Sequence, residues 1–253
     1  MRLHLPSRVD VRSDGRRRDR DQGRRRRPAP VLTSWLRQGL RSGMCPLCRV
    51  AHKADREYIW HFFDEGADQG EAIDTVREAY GFCIEHVTML SRIDTEAMKS
   101  TLAISTMFAD TFAGILDDLQ ALSSREQFAR APCPACAHRD ARVTANARYL
   151  LDEIATNPGL RARFNGSPGL CFAHFELVWN QTQAEDEREF IGQVQREAAA
   201  RLLSELSEHV RKHDHKYRHE PKGPERDAWQ HAMFMTAGWP APSGSAAEPE
   251  RTQ

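Results

Sequence analysis

Cys45-Pro46-Leu47-Cys48 is followed after 34 residues by Cys83-Ile84-Glu85-His86, and Cys133-Pro134-Ala135-Cys136 is followed after the same 34 by Cys171-Phe172-Ala173-His174. Each member of the second set lies 88 residues beyond its counterpart, and together the sets use all 6 cysteines. Thiolates and imidazole are donors that zinc prefers, and four of them complete a tetrahedron with no position left for water. The spacing therefore predicts a duplicated Cys3His site: Cys45, Cys48, Cys83 and His86 in the first repeat, and Cys133, Cys136, Cys171 and His174 in the second. Two Zn2+ ions per chain are expected, with an iron–sulfur cluster carrying one histidine ligand as the alternative. Sites closed by four protein ligands read as structural rather than catalytic, so no enzyme activity is expected.

The local chemistry suits this reading. Proline fixes the backbone of a tight bend that opens into a helix, which places both sulfurs of CPxC near a helix N-terminus. The positive helix end, with Arg49, His52 and Lys53 in one repeat and His138 and Arg139 in the other, favours thiolate and offsets the negative charge of the centre. In CxxH the two ligands are three residues apart and face the same way on a first helical turn. Gly81 and Gly169, two residues before Cys83 and Cys171, allow a sharp entry. The 34-residue insert is long enough for a helical hairpin whose ends return to one ion.

Outward from the ligands, the apolar period is helical. Ile59, Phe62 and Phe63 share a face; Gly66 and Gly70 break it, and Ile73, Val76 and Tyr80 resume it. A helix entered at Cys83 carries Val87, Leu90 and Ile93. A long helix of roughly 25 residues follows, with Met98, Leu102, Ser105, Phe108, Phe112, Ile115, Leu119 and Leu122 as its apolar face. The second half repeats the plan: Leu150, Leu151 and Ile154; a break at Asn157-Pro158-Gly159; Leu160 and Phe164; and a long helix through Ile191, Val194, Ala198, Leu202, Leu206 and Val210. The fold class is all-α, two tandem pseudo-symmetric four-helix modules, each clasped by its own Cys3His site, with the long helices as the contact between halves. The expected divisions are a disordered Arg-rich tail (1–30), a first zinc-stapled module (31–126), a second (127–214), a C-terminal extension with a short helix (215–239) and a disordered tail (240–253).

Charge is balanced overall, but residues 1–30 hold 11 Arg against 4 Asp, and the remaining 25 basic and 32 acidic residues leave a folded body at net −7. A short basic segment with little to bury is expected to be disordered, and nucleic-acid binding through it is a weaker alternative function that the acidic body argues against. No run of about eighteen apolar residues and no export-signal pattern occurs. A reducing cytoplasm, where thiolates stay available to metal, is the expected compartment. His209, His213, His215, His219 and His231 cluster with Asp214, but Arg211, Lys212, Lys216 and Arg218 among them favour a solvated helix end over another cation site. Pro224, Glu225 and Asp227 open a short helix carrying Trp229 and Met233, read as core residues. Phosphate-binding Gly-rich loops, nucleophile elbows and HExxH motifs are absent from the sequence.

The chain resembles a bacterial family of unknown function built on tandem CPxC…G[FL]CxxH modules. The likeness rests on Cys45-Pro46-Leu47-Cys48, Gly81-Phe82-Cys83-Ile84-Glu85-His86, Cys133-Pro134-Ala135-Cys136 and Gly169-Leu170-Cys171-Phe172-Ala173-His174. A C-terminal His213-Asp214-His215-Lys216-Tyr217-Arg218 segment adds to it, and the likeness covers about residues 41–238. The resemblance implies a helical, metal-binding protein and supplies no reaction. The expected role is a zinc-binding helical scaffold that takes a protein or small-molecule partner in the groove between its halves. The alternative is a thiol-based redox or metal sensor that releases zinc on oxidation.

Overall fold

The computed structural model describes residues 30–62, 70–93, 102–122 and 129–241. The expectations for residues 1–29 and 242–253, for Phe63, Gly66 and Met98, and for the side chain of Ile93 lie outside the described residues. Among the described residues there are ten α-helices and no strand. The first half holds α1 (Pro30–Arg41), α2 (Pro46–His61), α3 (Gly70–Glu78), α4 (Ile84–Ile93) and α5 (Leu102–Gln120). The second holds α6 (Pro134–Thr156), α7 (Pro158–Asn165), α8 (Phe172–Gln181) and α9 (Glu185–Arg211), then a 3-10 turn (Pro224–Asp227) and α10 (Ala228–Ala237).

The predicted breaks fall where the backbone chemistry demands them. Pro46 and Pro134 occupy the first helical turn of α2 and α6, where a missing N–H costs nothing. Asn157 ends α6 and caps α7, its side-chain oxygen accepting from the Leu160 N–H at 3.1 Å. Gly81 and Gly169 take φ of +96° and +79°, so the entry into each CxxH helix uses a conformation that a β-carbon disfavours.

The contact between halves corrects an expectation. It is made by α2 against α6, not by the long helices α5 and α9. The start of α6 lies beside the end of α2, with Tyr58 and His138 rings 5.2 Å apart, while the start of α2 shares a core with the middle of α6; the pair is antiparallel. Leu36, Leu47 and Val50 from the first half are fully buried in one cluster with Ala147, Leu150, Ile154, Ile191 and Val194 from the second. A smaller cluster of Ile59, Phe62, Val76, Phe82, Leu90 and Met107 takes Ala135 from the second half. Neither core respects the repeat boundary.

The predicted face of α5 is also rotated. Met107 and Thr111 are buried, whereas Leu102, Phe112, Leu119 and Leu122 are exposed, because α5 packs chiefly on α3 and turns the face of Met107 and Thr111 inward. Trp229 and Met233, read as core, stand 47% and 57% exposed. In their place α10 buries Met235, and Trp239 just beyond the helix joins the main core.

α1 crosses α2 so closely that a β-carbon on Gly39 would stand 2.5 Å from the Pro46 Cα. Alanine in a helix ordinarily gains up to about 1 kcal/mol over glycine. Here the neighbour is backbone and cannot yield, so overpacking wins. Gly39→Ala is expected to lower stability by about 1–3 kcal/mol in chemical denaturation, and a stabilised variant would contradict the crossing.

Candidate metal centres

All four cysteines that open a ligand pair sit just before a helix. Cys45, Cys133 and Cys171 are N-caps of α2, α6 and α8, and Cys83 immediately precedes α4. Their carbonyls accept the same hydrogen bond, from Arg49, Ala137, Phe175 and Val87 respectively, at 2.8–3.3 Å. The second ligand of each pair, three residues on, is thereby set on the first helical turn. Each site lies at the meeting of two helix N-termini, whose unpaired N–H groups favour negative charge.

The groups that meet are not those the linear spacing suggests. Cys45 and Cys48 gather with Cys171 and His174, and Cys83 and His86 gather with Cys133 and Cys136. The eight predicted residues all converge, but each CPxC of one repeat faces the CxxH of the other. Neither 34-residue insert is closed by its own pair, and the picture of two separately clasped modules is corrected. The physical reason is the antiparallel α2–α6 pair, which carries each CPxC away from its own CxxH and delivers it to the other.

Ligand atoms within each group lie within 4.8 Å of one another. In the buried group, Cys48 Sγ is 3.6 Å from Cys171 Sγ, and His174 Nδ1 is 3.5, 3.4 and 3.2 Å from the sulfurs of Cys45, Cys48 and Cys171. In the second group, Cys83 Sγ is 3.7 Å from Cys136 Sγ, and His86 Nδ1 is 3.1, 3.7 and 3.5 Å from Cys83, Cys133 and Cys136. Metal–sulfur and metal–nitrogen bonds of about 2.3 and 2.0–2.1 Å give tetrahedral edges of roughly 3.8 Å (S–S) and 3.6 Å (S–N). The donors already stand near the corners such an ion requires, and a metal ion fits both sites.

Electrostatics gives the same answer. Burial, with the sulfurs of Cys171 and Cys48, pushes the Cys45 thiol well above its ordinary value. The Cys171 sulfur above all pushes Cys48 up to about 12, and hydrogen bonds from Cys45 and Cys48 hold Cys171 far below the usual thiol range. In the other group burial and the Cys83 sulfur raise Cys136 to about 12; for Cys83 burial works upward, but the His86 backbone N–H and imidazole bring it down to about 7. Packed sulfurs thus share protons unevenly, and a divalent cation is what would let all three ionise.

The groups differ around the ligands. His86 Nε2 donates to Asp55 Oδ1 at 2.9 Å, with both side chains essentially buried, and Arg139 lies 3.8 Å from the other Asp55 oxygen. Burial opposes protonation of His86, but Asp55 and then Cys83 raise it to about 9. This carboxylate–histidine contact orients Nδ1 toward the sulfurs. Asp55 stands two helical turns after Cys48, outside the spacing motifs that mark the ligand pairs in the sequence. The equivalent position in the other repeat is Val143, so the pair is not duplicated.

The buried group has a different outer partner: Trp239, whose backbone N–H points at Cys48 Sγ at 3.4 Å while its carbonyl meets His52 Nε2 at 2.7 Å. Gln195 clasps the turn before Cys171, accepting from the Leu170 N–H at 3.0 Å and donating to its carbonyl at 2.9 Å. Glycine before tryptophan at a helix end was the one available signal for the first contact; nothing local marked the second.

The basic residues near the sulfurs divide. Arg139 belongs to the Asp55 site, whereas Arg49 turns away to Gln38. Among the described residues the C-terminal histidines gather into no third group. His209 Nδ1 instead meets the Glu225 carbonyl, and Arg211 and Lys212 bind Glu208, Glu220 and Glu225, tying the segment after α9 into an ion-pair knot. Among the described residues no helix is long and apolar enough to cross a membrane.

The model of DUF6062, a family of unknown function, matches residues 40–242, and the chain belongs to that family. No curated protein and no solved structure matches the chain.

Removing the carboxylate behind a metal-bound imidazole costs about 10- to 100-fold in affinity. Asp55→Asn is expected to weaken zinc binding by that factor at the Cys83 site and to leave the Cys45 site unchanged, as read by competition with a chromophoric chelator. Equal weakening of both sites would deny Asp55 this role.

Proposed function

We propose that this DUF6062 protein is a zinc-stapled helical scaffold whose two ions join its two repeats into one rigid body. The observation that carries the reading is the crossed pairing: each Cys3His group takes two ligands from each half. Zinc is favoured because it is content with four soft and borderline donors in a closed tetrahedron, and each binding event couples on the order of 10 kcal/mol to folding. With no coordination position left for substrate, the ions hold structure rather than perform a reaction.

The purified protein is expected to contain two zinc per chain. If a protease site is inserted after Ser124 and cut, the halves should remain associated, and should separate in mild denaturant only after a chelator removes the metal. Halves that part while each keeps its own zinc would refute the crossed staple; iron in place of zinc would refute the metal.

For the partner, the reading points to the cleft between α1 and α7, about 270 Å³ in volume, where the two halves meet. Arg37, Arg41 and Arg163 line it over a floor of Leu40 and Leu160, with no carboxylate among its lining residues. On a net acidic body this is a cationic concavity, and its chemistry suits an acidic segment of a partner protein. A labelled oligoglutamate peptide should bind in a salt-sensitive manner, and Arg41→Glu with Arg163→Glu should weaken it about tenfold or more. Unchanged affinity would remove the cleft from the proposal.

A further inference from the structure

The two quartets have the same ligands but not the same shelter. Cys45, Cys48 and Cys171 are 0%, 4% and 1% exposed. Over them Gly238, at φ +100°, turns the chain after α10 so that Trp239 closes on the sulfurs, its N–H on Cys48 and its ring beside Phe234. Cys83, Cys133 and Cys136 are only half-buried. Their protection is on the imidazole side, where His86 and Asp55 are buried, and at Cys133, which packs against the smaller core. Partly exposed thiolates are the ones an oxidant can reach, and buried thiolates are inert. Arg139, one turn after Cys136, shares its charge among Asp55, Glu85 and Asp140, so exposure and not a basic setting distinguishes this site.

Resting on the zinc reading above, we propose that Cys83, Cys133 and Cys136 form an oxidation site for hydroperoxides, from which one zinc is released while the Trp239-covered site keeps its own. A thiolate of the open site attacks the terminal peroxide oxygen; the O–O bond breaks, sulfur is oxidised to the sulfenate by two electrons, and the peroxide is reduced to water or alcohol. Cys83 and Cys136 have their sulfurs 3.7 Å apart. The second thiolate attacks the first sulfur, an S–S bond forms, and the sulfenate oxygen leaves as water with two protons from solvent. The sum is two thiolates, one peroxide and two protons giving one disulfide and two waters or one water and one alcohol. Only Cys133 and His86 would then remain to hold a zinc ion, too few to retain it. The clasp between α4 and the start of α6 opens, while the α2–α6 core and the other site still hold the halves together.

The test is hydrogen peroxide added to the zinc-loaded full chain, with released zinc followed by a chromophoric indicator and cysteines mapped by mass spectrometry. Expected are one zinc released per chain, a Cys83–Cys136 disulfide, and Cys45, Cys48 and Cys171 still reduced, with at least about tenfold faster modification at the open site. Trp239→Ala should make the second zinc releasable at a rate within about tenfold of the first. Simultaneous loss of both ions from the unaltered protein, prior loss from the Cys45 site, or no release would overturn the proposal. So would a Trp239→Ala variant that loads both ions and still holds the second as the parent does. Untreated protein lacking zinc would instead fail the scaffold reading, so the metal content before peroxide separates the two failures.

Discussion

Four donors from two distant parts of the chain must meet at each of two points, and the rest of the structure is arranged around that requirement. Three thiols packed within 4.8 Å of one another and of an imidazole oppose one another's ionisation, with Cys48 pushed up and Cys171 held low, and a divalent cation would relieve that opposition. A divalent ion changes the cluster from a proton-sharing compromise into a bond between repeats. Since small proteins keep only about 5–15 kcal/mol of net stability, two events on the order of 10 kcal/mol each are comparable with the entire margin. The helical core then has to bring the donors near one another; it need not hold the halves together unaided.

α2 is the member through which both points communicate. Its N-cap Cys45 and first-turn Cys48 belong to one group, and Asp55, about 10 Å further along the same helix, holds the histidine of the other. α6 mirrors it in direction but not in chemistry: Cys133 and Cys136 start it, Ala147 and Leu150 reach the core beside Cys45, and Val143 stands where α2 has its aspartate. Pseudo-symmetry therefore reaches the ligands and stops at their neighbours. One site gained a buried carboxylate, the other a tryptophan backbone from the C-terminal extension, and the extension itself is secured by the Lys212–Glu225 and Arg211–Glu220 ion pairs at its root.

The sequence made the eight residues that gather into two groups and the helix starts legible because each depends on local chemistry: proline at a first turn, three-residue spacing, glycine at positive φ. It could not make the pairing legible. In a tandem repeat, ligands within one copy and ligands exchanged between copies have identical types and numbers, and what decides is whether the hairpin folds back or crosses over. That choice is made by packing of Leu36, Leu47 and Val50 against Leu150 and Ile154, more than 90 residues away in sequence. The long-helix interface failed for a related reason. An apolar stripe announces that a face is suited to burial and says nothing of its neighbour; Phe112 and Leu119 satisfy the period and remain exposed. Asp55 and Trp239 act at long range through two polar atoms each, which no periodicity records.

Crossing also fixes an order among the constraints. The open site joins His86 to Cys133 across 47 residues, and the buried site joins Cys48 to Cys171 across 123, so the first loop lies wholly inside the second. Closing the longer loop alone costs about 0.9 kcal/mol more than closing the shorter, by the logarithmic dependence on length. Once the inner ion is bound, its loop no longer contributes freely to the outer one, and the residual cost of the outer closure falls. The reverse order offers the inner site the same advantage, since both loops share α2 and α6 as walls. Nested staples are thus mutually favourable, yet only the inner one meets solvent at its sulfurs. An arrangement in which the more exposed clasp lies inside the buried one would let the inner site open without freeing the ends of the outer loop, so the halves would stay within reach of each other.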